Sequence, residues 1–175
     1  VVKDDAAHSL RMFEMFLGPL EQAKPWSETG IEGVFRFLTR VWRLVVAEGG
    51  GLSDKVKDIE PNEDLDFVLH ETIKKVGEDI ENLKFNTAIS QMMILVNEFY
   101  KNDEVPRQAI TDFVRILSPF APHIAEELWE VLGNSDSIVN DDWPQYDEAK
   151  MQKSSVEMVV QVLSKIRAKI SVSAG

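Results

Sequence analysis

Ser118-Pro119-Phe120-Ala121-Pro122-His123-Ile124-Ala125-Glu126-Glu127-Leu128-Trp129 holds two prolines three residues apart, followed by an apolar residue at each helical return. Proline lacks an amide donor and clashes with the carbonyl four residues back, so Ser118-Pro119 breaks a helix. The same ring suits the first turn of a new one, so Pro122 opens the next. Ile124, Leu128 and Leu132 then fall on one face, and Gly133-Asn134 closes it. The stretch is a helix break and restart, and its neighbours repeat the pattern.

Upstream, Pro106 suits the start of a helix that buries Ile110, Phe113, Val114 and Leu117. Before it, Asn86 or Thr87 caps a helix to about Lys101 with Ile89, Met92, Met93, Val96 and Phe99 inward, the methionines as core filler. Leu65, Leu69, Ile73, Val76, Ile80 and Leu83 give another from about Asn62 to Leu83. The clearest stripe is Ile31, Val34, Phe35, Leu38, Val41, Trp42 and Val45, a helix from about Ile31 to Ala47 that Gly49-Gly50-Gly51 ends. Ser27 or Thr29 caps it, after a connector Lys24-Pro25-Trp26-Ser27. The loop onward to Pro61 is polar and expected to be mobile. Asp4 and Asp5 cap a first helix to about Leu17, with Ala6, Leu10, Phe13 and Leu17 on its inner face, stopped by Gly18-Pro19. Downstream of Trp143-Pro144 the period changes to two: Val156, Met158, Val160 and Val162 alternate, then Ile166, Ala168 and Ile170, as in a β-hairpin. The expected fold is all-α, an antiparallel bundle of five to six helices with a short β-hairpin at the C-terminal end.

A chain of 175 residues, 44% hydrophobic and 28% charged, has the balance of an ordinary globular domain. No run of about 18 apolar residues exists to cross a bilayer, and the N-terminus has no signal-peptide pattern. The chain begins at Val1 rather than Met, as expected of a segment of a longer protein. It has no cysteine, which excludes disulfides and Cys-ligated metal. His8, His70 and His123 lie far apart with no His-Glu-x-x-His spacing, so no zinc site is expected. No phosphate-cradling Gly-rich loop and no nucleophile elbow occurs. Glu126 and Glu127 point about 100° apart on a helix, so they read as acids near a helix N-terminus rather than a facing acid–base pair. Met151-Gln152-Lys153-Ser154-Ser155 reads as a solvated linker. No catalytic residue and no metal or cofactor ligand is expected.

The net charge of −11 argues against coating nucleic acid, so any RNA contact needs a local basic stripe. Arg36, Arg40 and Arg43 supply one: at i, i+4 and i+7 they fall within about 60° of each other and roughly opposite the Ile31–Val45 stripe. Guanidinium forks match phosphate oxygens. The competing reading is a solvated face paired with Glu32 or neighbouring acids. Lys165, Arg167 and Lys169 alternate with apolar residues and give a second RNA candidate on one strand face. Trp42 and Trp129 are expected in the core, and His123 is expected to structure its turn.

Several stretches resemble the leucyl-tRNA synthetase family. Ser9-Leu10-Arg11-Met12-Phe13-Glu14-Met15-Phe16-Leu17-Gly18-Pro19-Leu20-Glu21-Gln22-Ala23-Lys24-Pro25-Trp26-Ser27 is similar to the segment after that family's catalytic lysine–serine loop. Gly33 to Leu44, Thr72 to Val76 and Leu83 to Met93 continue the likeness. The Pro119 to Trp129 run is shared with valyl, isoleucyl and other class I relatives. Val159 to Val162 and Lys165 to Ile170 resemble the start of a bacterial-type C-terminal domain, although Leu163-Ser164 stands where similar sequences carry Asn-Gly, a pair made for tight hairpins.

The resemblance implies a parent leucine–tRNA ligase that uses ATP with magnesium and edits mischarged product, its catalytic and editing domains outside this chain. It implies a connector over 1–26, an anticodon-binding helical bundle over 27–145, and a linker with the truncated start of a C-terminal domain over 146–175. The implied partners are tRNA(Leu), held by positioning contacts more than base readout, and the missing catalytic domain. The implied location is cytoplasmic. Two alternatives stay open: a packing or protein-interaction bundle with negligible free-state RNA affinity, and the equivalent domain of a valyl or isoleucyl synthetase.

Overall fold

Among the described residues, six amphipathic helices bury their apolar faces in one shared core. The computed structural model describes residues 4–23, 28–152, 155–162 and 165–173, with side chains over 7–23 and 30–152. The helices are α1 (Asp4–Phe16), α2 (Glu28–Val45), α3 (Glu63–Glu81), α4 (Phe85–Phe99), α5 (Arg107–Leu117) and α6 (Pro122–Val131). Helix α3 packs along α4 and α5, α1 along α2 and α4, and α6 against α5 and α2. The expected connector at Lys24–Ser27 and the capping side chains of Asp4, Asp5, Ser27 and Thr29 lie outside the described residues or side chains.

The break and restart at Pro119 and Pro122 stands as the sequence indicates. Pro122 opens α6, Leu128 and Leu132 are buried, and Gly133 closes the helix at φ 97°, in the left-handed region glycine tolerates. Asn62 caps α3, its side chain accepting from the Leu65 amide at 2.9 Å. Pro106 sits one residue earlier than expected, at the N-cap of α5. Neither Asn86 nor Thr87 caps α4; both lie inside its first turn, behind Lys84.

Two helix faces differ from expectation. Among the α1 side chains that are described, His8, Ser9, Met12 and Phe13 are buried, while Leu10 is exposed and Leu17 just after it only partly covered; Ala6, expected inward, lies outside them. On α2 the buried set is Val34, Phe37, Leu38, Val41, Leu44 and Val45, while Phe35 and Trp42 are 46% and 38% exposed. Both rings therefore leave the core position that the apolar stripe assigned to them. With Phe37 and Leu44 added to the stripe, apolar residues cover about half the helix circumference, and neighbouring helices select which part of it they cover. Leu83, expected inward, is exposed in the turn after α3 with φ 57°.

The loop from Val46 to Pro61 is tied down. Val46 bridges Leu52, the Ser53 amide donates to the Val45 carbonyl at 2.7 Å, and Val56 is buried. Strand β1 (Val56–Lys57) pairs in parallel with β2 (Val105–Pro106), a pairing the sequence reading lacks. After α6, residues 138–151 include two single 3-10 turns and run back over α3. There the Asp147 amide donates to His70 Nδ1 at 3.1 Å, Lys74 pairs with Glu148 at 3.1 Å and Lys150 with Asp66 at 3.0 Å.

The terminal hairpin is longer than the short one expected: β3 (Ser155–Val162) and β4 (Lys165–Ser173) pair antiparallel. The register shifts by one between Val160 and Gln161, which face Ala168 and Ile166, so Arg167 is the extra residue of a bulge.

Candidate nucleic-acid interface

A helix advances about 100° per residue, so the buried residues of α2 fix the direction of everything else on it. Measured from their centre, Arg36 and Arg43 lie about 140° and 160° away and Arg40 about 100° away on the same side. The arginines therefore span from the solvent pole of α2 to its flank. Phe35 and Trp42 occupy the other flank, and Thr39 lies between them and Arg43.

The three arginines do not play one part. Arg40 Nη1 donates to Asn97 Oδ1 at 2.8 Å, and its guanidinium lies 4.6 Å from the centre of the Tyr100 ring. The Tyr100 hydroxyl in turn donates to the Arg40 carbonyl at 2.9 Å. Arg40 thus fastens α2 to α4, and only part of its donor set remains outward. Arg36 is exposed and uses Nε on the Glu32 carbonyl at 3.3 Å, a bond within its own helix to backbone rather than to the Glu32 carboxylate. Arg43 is exposed, and among the described residues it has no hydrogen-bond or ion-pair partner.

Lys74, Lys75, Lys101, Lys150, Arg107 and Arg115 each pair with a carboxylate; among the other described cations Arg11, Lys55, Lys57 and Lys84 share with the α2 arginines the lack of such a pair, and what distinguishes α2 is that three stand on one helix. Glu98 holds the Lys101 ammonium above its usual pKa by a hydrogen bond and its charge, and Glu148 does the same for Lys74. Burial works to lower the Arg115 pKa, but hydrogen bonds to Asp141 and Asp112 outweigh it and leave a net rise. Among the described residues no carboxylate lies within ion-pair distance of Arg36, Arg40 or Arg43. In so acidic a chain, three such arginines on one helix make a local basic face.

Phe35, Leu38, Thr39 and Trp42 also line an open groove with His8 of α1 and His123, Ile124 and Glu127 of α6, a cavity of about 680 Å³. The His8 and His123 rings meet edge-on at 4.9 Å across it. Nothing in the sequence signals this meeting, because 115 positions separate the two residues. Trp129, by contrast, is buried as expected, with Nε1 donating to the Asp136 carbonyl at 2.9 Å. Lys165, Arg167 and Lys169 lie on β4, and their side chains lie outside the described ones. Among the described residues no group of three His, Asp or Glu side chains could hold a metal, and no helix is long and apolar enough to cross a membrane.

A helical bundle whose arginine face has no carboxylate partner among the described residues can meet phosphate oxygens. Residues 65–175 match the family model for the anticodon-binding domain of tRNA ligases, and the chain belongs to that family. Among solved structures it is similar to a leucyl-tRNA synthetase of Agrobacterium radiobacter K84, crystallised in a ternary complex with tRNA and LeuAMS. That likeness has a TM-score of 0.74 and 26% identity, and covers 98% of this chain but 24% of the synthetase. The chain thus spans about a quarter of that relative's length.

Proposed function

We propose that this chain is the tRNA-positioning helical domain of a leucine–tRNA ligase, acting on tRNA(Leu) through its phosphate backbone and carrying no catalytic group itself. The observation that carries the reading is the pair Arg36 and Arg43, exposed two turns apart on α2 with no carboxylate partner among the described residues. Family membership and the likeness to a synthetase crystallised with tRNA support it. Residues 1–26 then serve as connector, 27–145 as the tRNA-binding bundle and 146–175 as linker and start of a further domain. ATP and magnesium act in the parent's catalytic domain, and the setting is the cytoplasm. Lys165, Arg167 and Lys169 form a secondary RNA contact.

The test is tRNA(Leu) binding as a function of salt. Each neutralised phosphate contributes about 0.9 to the slope of log affinity against log salt. The R36A/R43A double variant should flatten that slope by up to about 2. R40A should change it less, because that guanidinium is already engaged by Asn97 and Tyr100. An unaltered slope in the double variant removes the ridge from the RNA interface.

A further inference from the structure

The segment from Trp143 to Met151 lies as a strap along one row of α3. Asp66, His70 and Lys74 are four residues apart, so they stand above one another on the helix. The strap meets each of them. Lys150 pairs with Asp66 at 3.0 Å, the Asp147 amide donates to His70 Nδ1 at 3.1 Å, and Glu148 pairs with Lys74 at 3.1 Å. The Lys74 ammonium also lies 5.3 Å from the centre of the Tyr146 ring. At the far end the partly buried Trp143 packs against the core beside Gly77. A backbone amide only donates, so His70 Nδ1 accepts and carries no proton. The ring proton therefore sits on Nε2, which faces an Asp66 carboxylate oxygen at 3.4 Å.

We propose that His70 is a proton-operated release for this strap, closed while the imidazole is neutral and opened when it takes a proton. Histidine is the side chain that changes charge between about pH 5 and 8. A proton on Nδ1 sets N–H against N–H, and the Asp147 amide loses its acceptor. The same proton makes the ring a cation beside Asp66, one turn back on its own helix. Asp66 is also the carboxylate that holds Lys150, so the imidazolium competes with Lys150 for it. The ion pair so formed lies wholly within α3 and needs no strap. One proton thus removes one strap contact and weakens a second, and the attraction of Asp66 favours the open form. Closure requires the neutral ring: it is complete at high pH and lost as pH falls through the histidine titration. The other charged or titratable groups around the ring are Glu63 and Lys74 on α3, and Tyr146, Asp147 and Glu148 on the strap. The Asp147 carboxylate is turned to the Ala149 amide at 2.9 Å, and Glu148 to Lys74. Helices α4 and α5 also pack on α3, but among the described residues neither gives the ring a hydrogen bond or an ion pair. Neither the Lys74 contacts nor Trp143 involve the imidazole, so the release centres on residues 147–151, the stretch that leads into β3.

The experiment follows solvent exchange of the Asp147 amide by NMR in the full chain between about pH 8 and pH 5, each rate divided by that of an unstructured reference. Wild-type protection should hold at the alkaline end and fall roughly 2- to 10-fold at the acid end, the effect expected of one hydrogen bond. The ring nitrogen shifts of His70 should show the Nε2–H tautomer at high pH, with a titration midpoint matching that of the protection loss. H70N places a carbonyl acceptor near the position of Nδ1 that does not titrate, so its Asp147 protection should stay flat with pH. The amides of the buried α3 residues Leu69 and Val76 should stay protected throughout in both proteins. Wild-type protection that does not change with pH would overturn the proposal. A parallel fall in H70N would overturn it too, by assigning the effect to the carboxylates around the strap. Loss at Leu69 and Val76 together with Asp147 would replace a local release by acid unfolding of the bundle.

Discussion

Asp79 is a carboxylate almost fully buried between α3 and α4, accepting from Thr87 Oγ1 at 2.7 Å and from Lys75 Nζ at 2.9 Å. A buried charge that loses a donor keeps its desolvation cost, so Thr87→Val should destabilise the bundle by about 1–3 kcal/mol in urea titrations. If the variant matches wild type within a few tenths of a kcal/mol, Lys75 alone suffices for Asp79. Residue roles of this kind are only half legible in a sequence. The hydroxyl of Thr87 points to a capping role in the sequence; the structure uses it instead on Asp79, a side chain of the preceding helix. The arginine ridge was visible because i, i+4 and i+7 spacing is a local property. The diversion of Arg40 to Asn97 and Tyr100 was not, because those partners lie a helix away.

The two glycines of α2's first half separate two effects at the level of the element. A Cβ on Gly30 would run into the buried Phe13 ring of α1, whereas one on Gly33 meets nothing within 4 Å. Alanine is favoured over glycine in a helix interior by about 1 kcal/mol. Gly33→Ala should therefore raise stability by roughly that amount. Gly30→Ala carries the same gain but forces apart α1 and α2, and overpacking of about 1–3 kcal/mol should leave it net destabilised. Thermal melts of the two variants should move in opposite directions; a shared direction would mean that α1 does not press on α2 at Gly30. Helix existence and most of the core were readable from periodicity, as in α3, α4 and α5. The rotation of α2 was not. Phe35 and Phe37 are chemically the same, and apolarity alone does not say which one a neighbour covers.

Across the whole molecule the core is continuous from Met12 to Ile138, so the helices share one packed interior. The segment from Trp143 to Met151 is bound along α3 by Lys74, His70 and Asp66. That path combines polar contacts from residues nearly 80 positions apart, a distance at which sequence pattern carries no information. The same holds for the groove, whose lining comes from both ends of the helical region. Phe35 and Trp42 are visible in the sequence only as part of a core stripe, because a tryptophan at helical spacing is usually core.

The parallel pairing of Val56 with Val105 has a kinetic consequence. It closes the chain around α3 and α4 at their base, turning that helical hairpin into a loop whose two ends must meet. Loop closure exacts entropy before the contact returns anything, so such a clasp forms late, after the local helix pairs have condensed. Val105→Ala should then leave the folding rate nearly unchanged and speed unfolding, a φ-value near zero in stopped-flow chevrons. A φ-value near one would place the clasp in the folding nucleus. If it is a late latch, the two buried valines set how long the bundle stays shut rather than how fast it assembles.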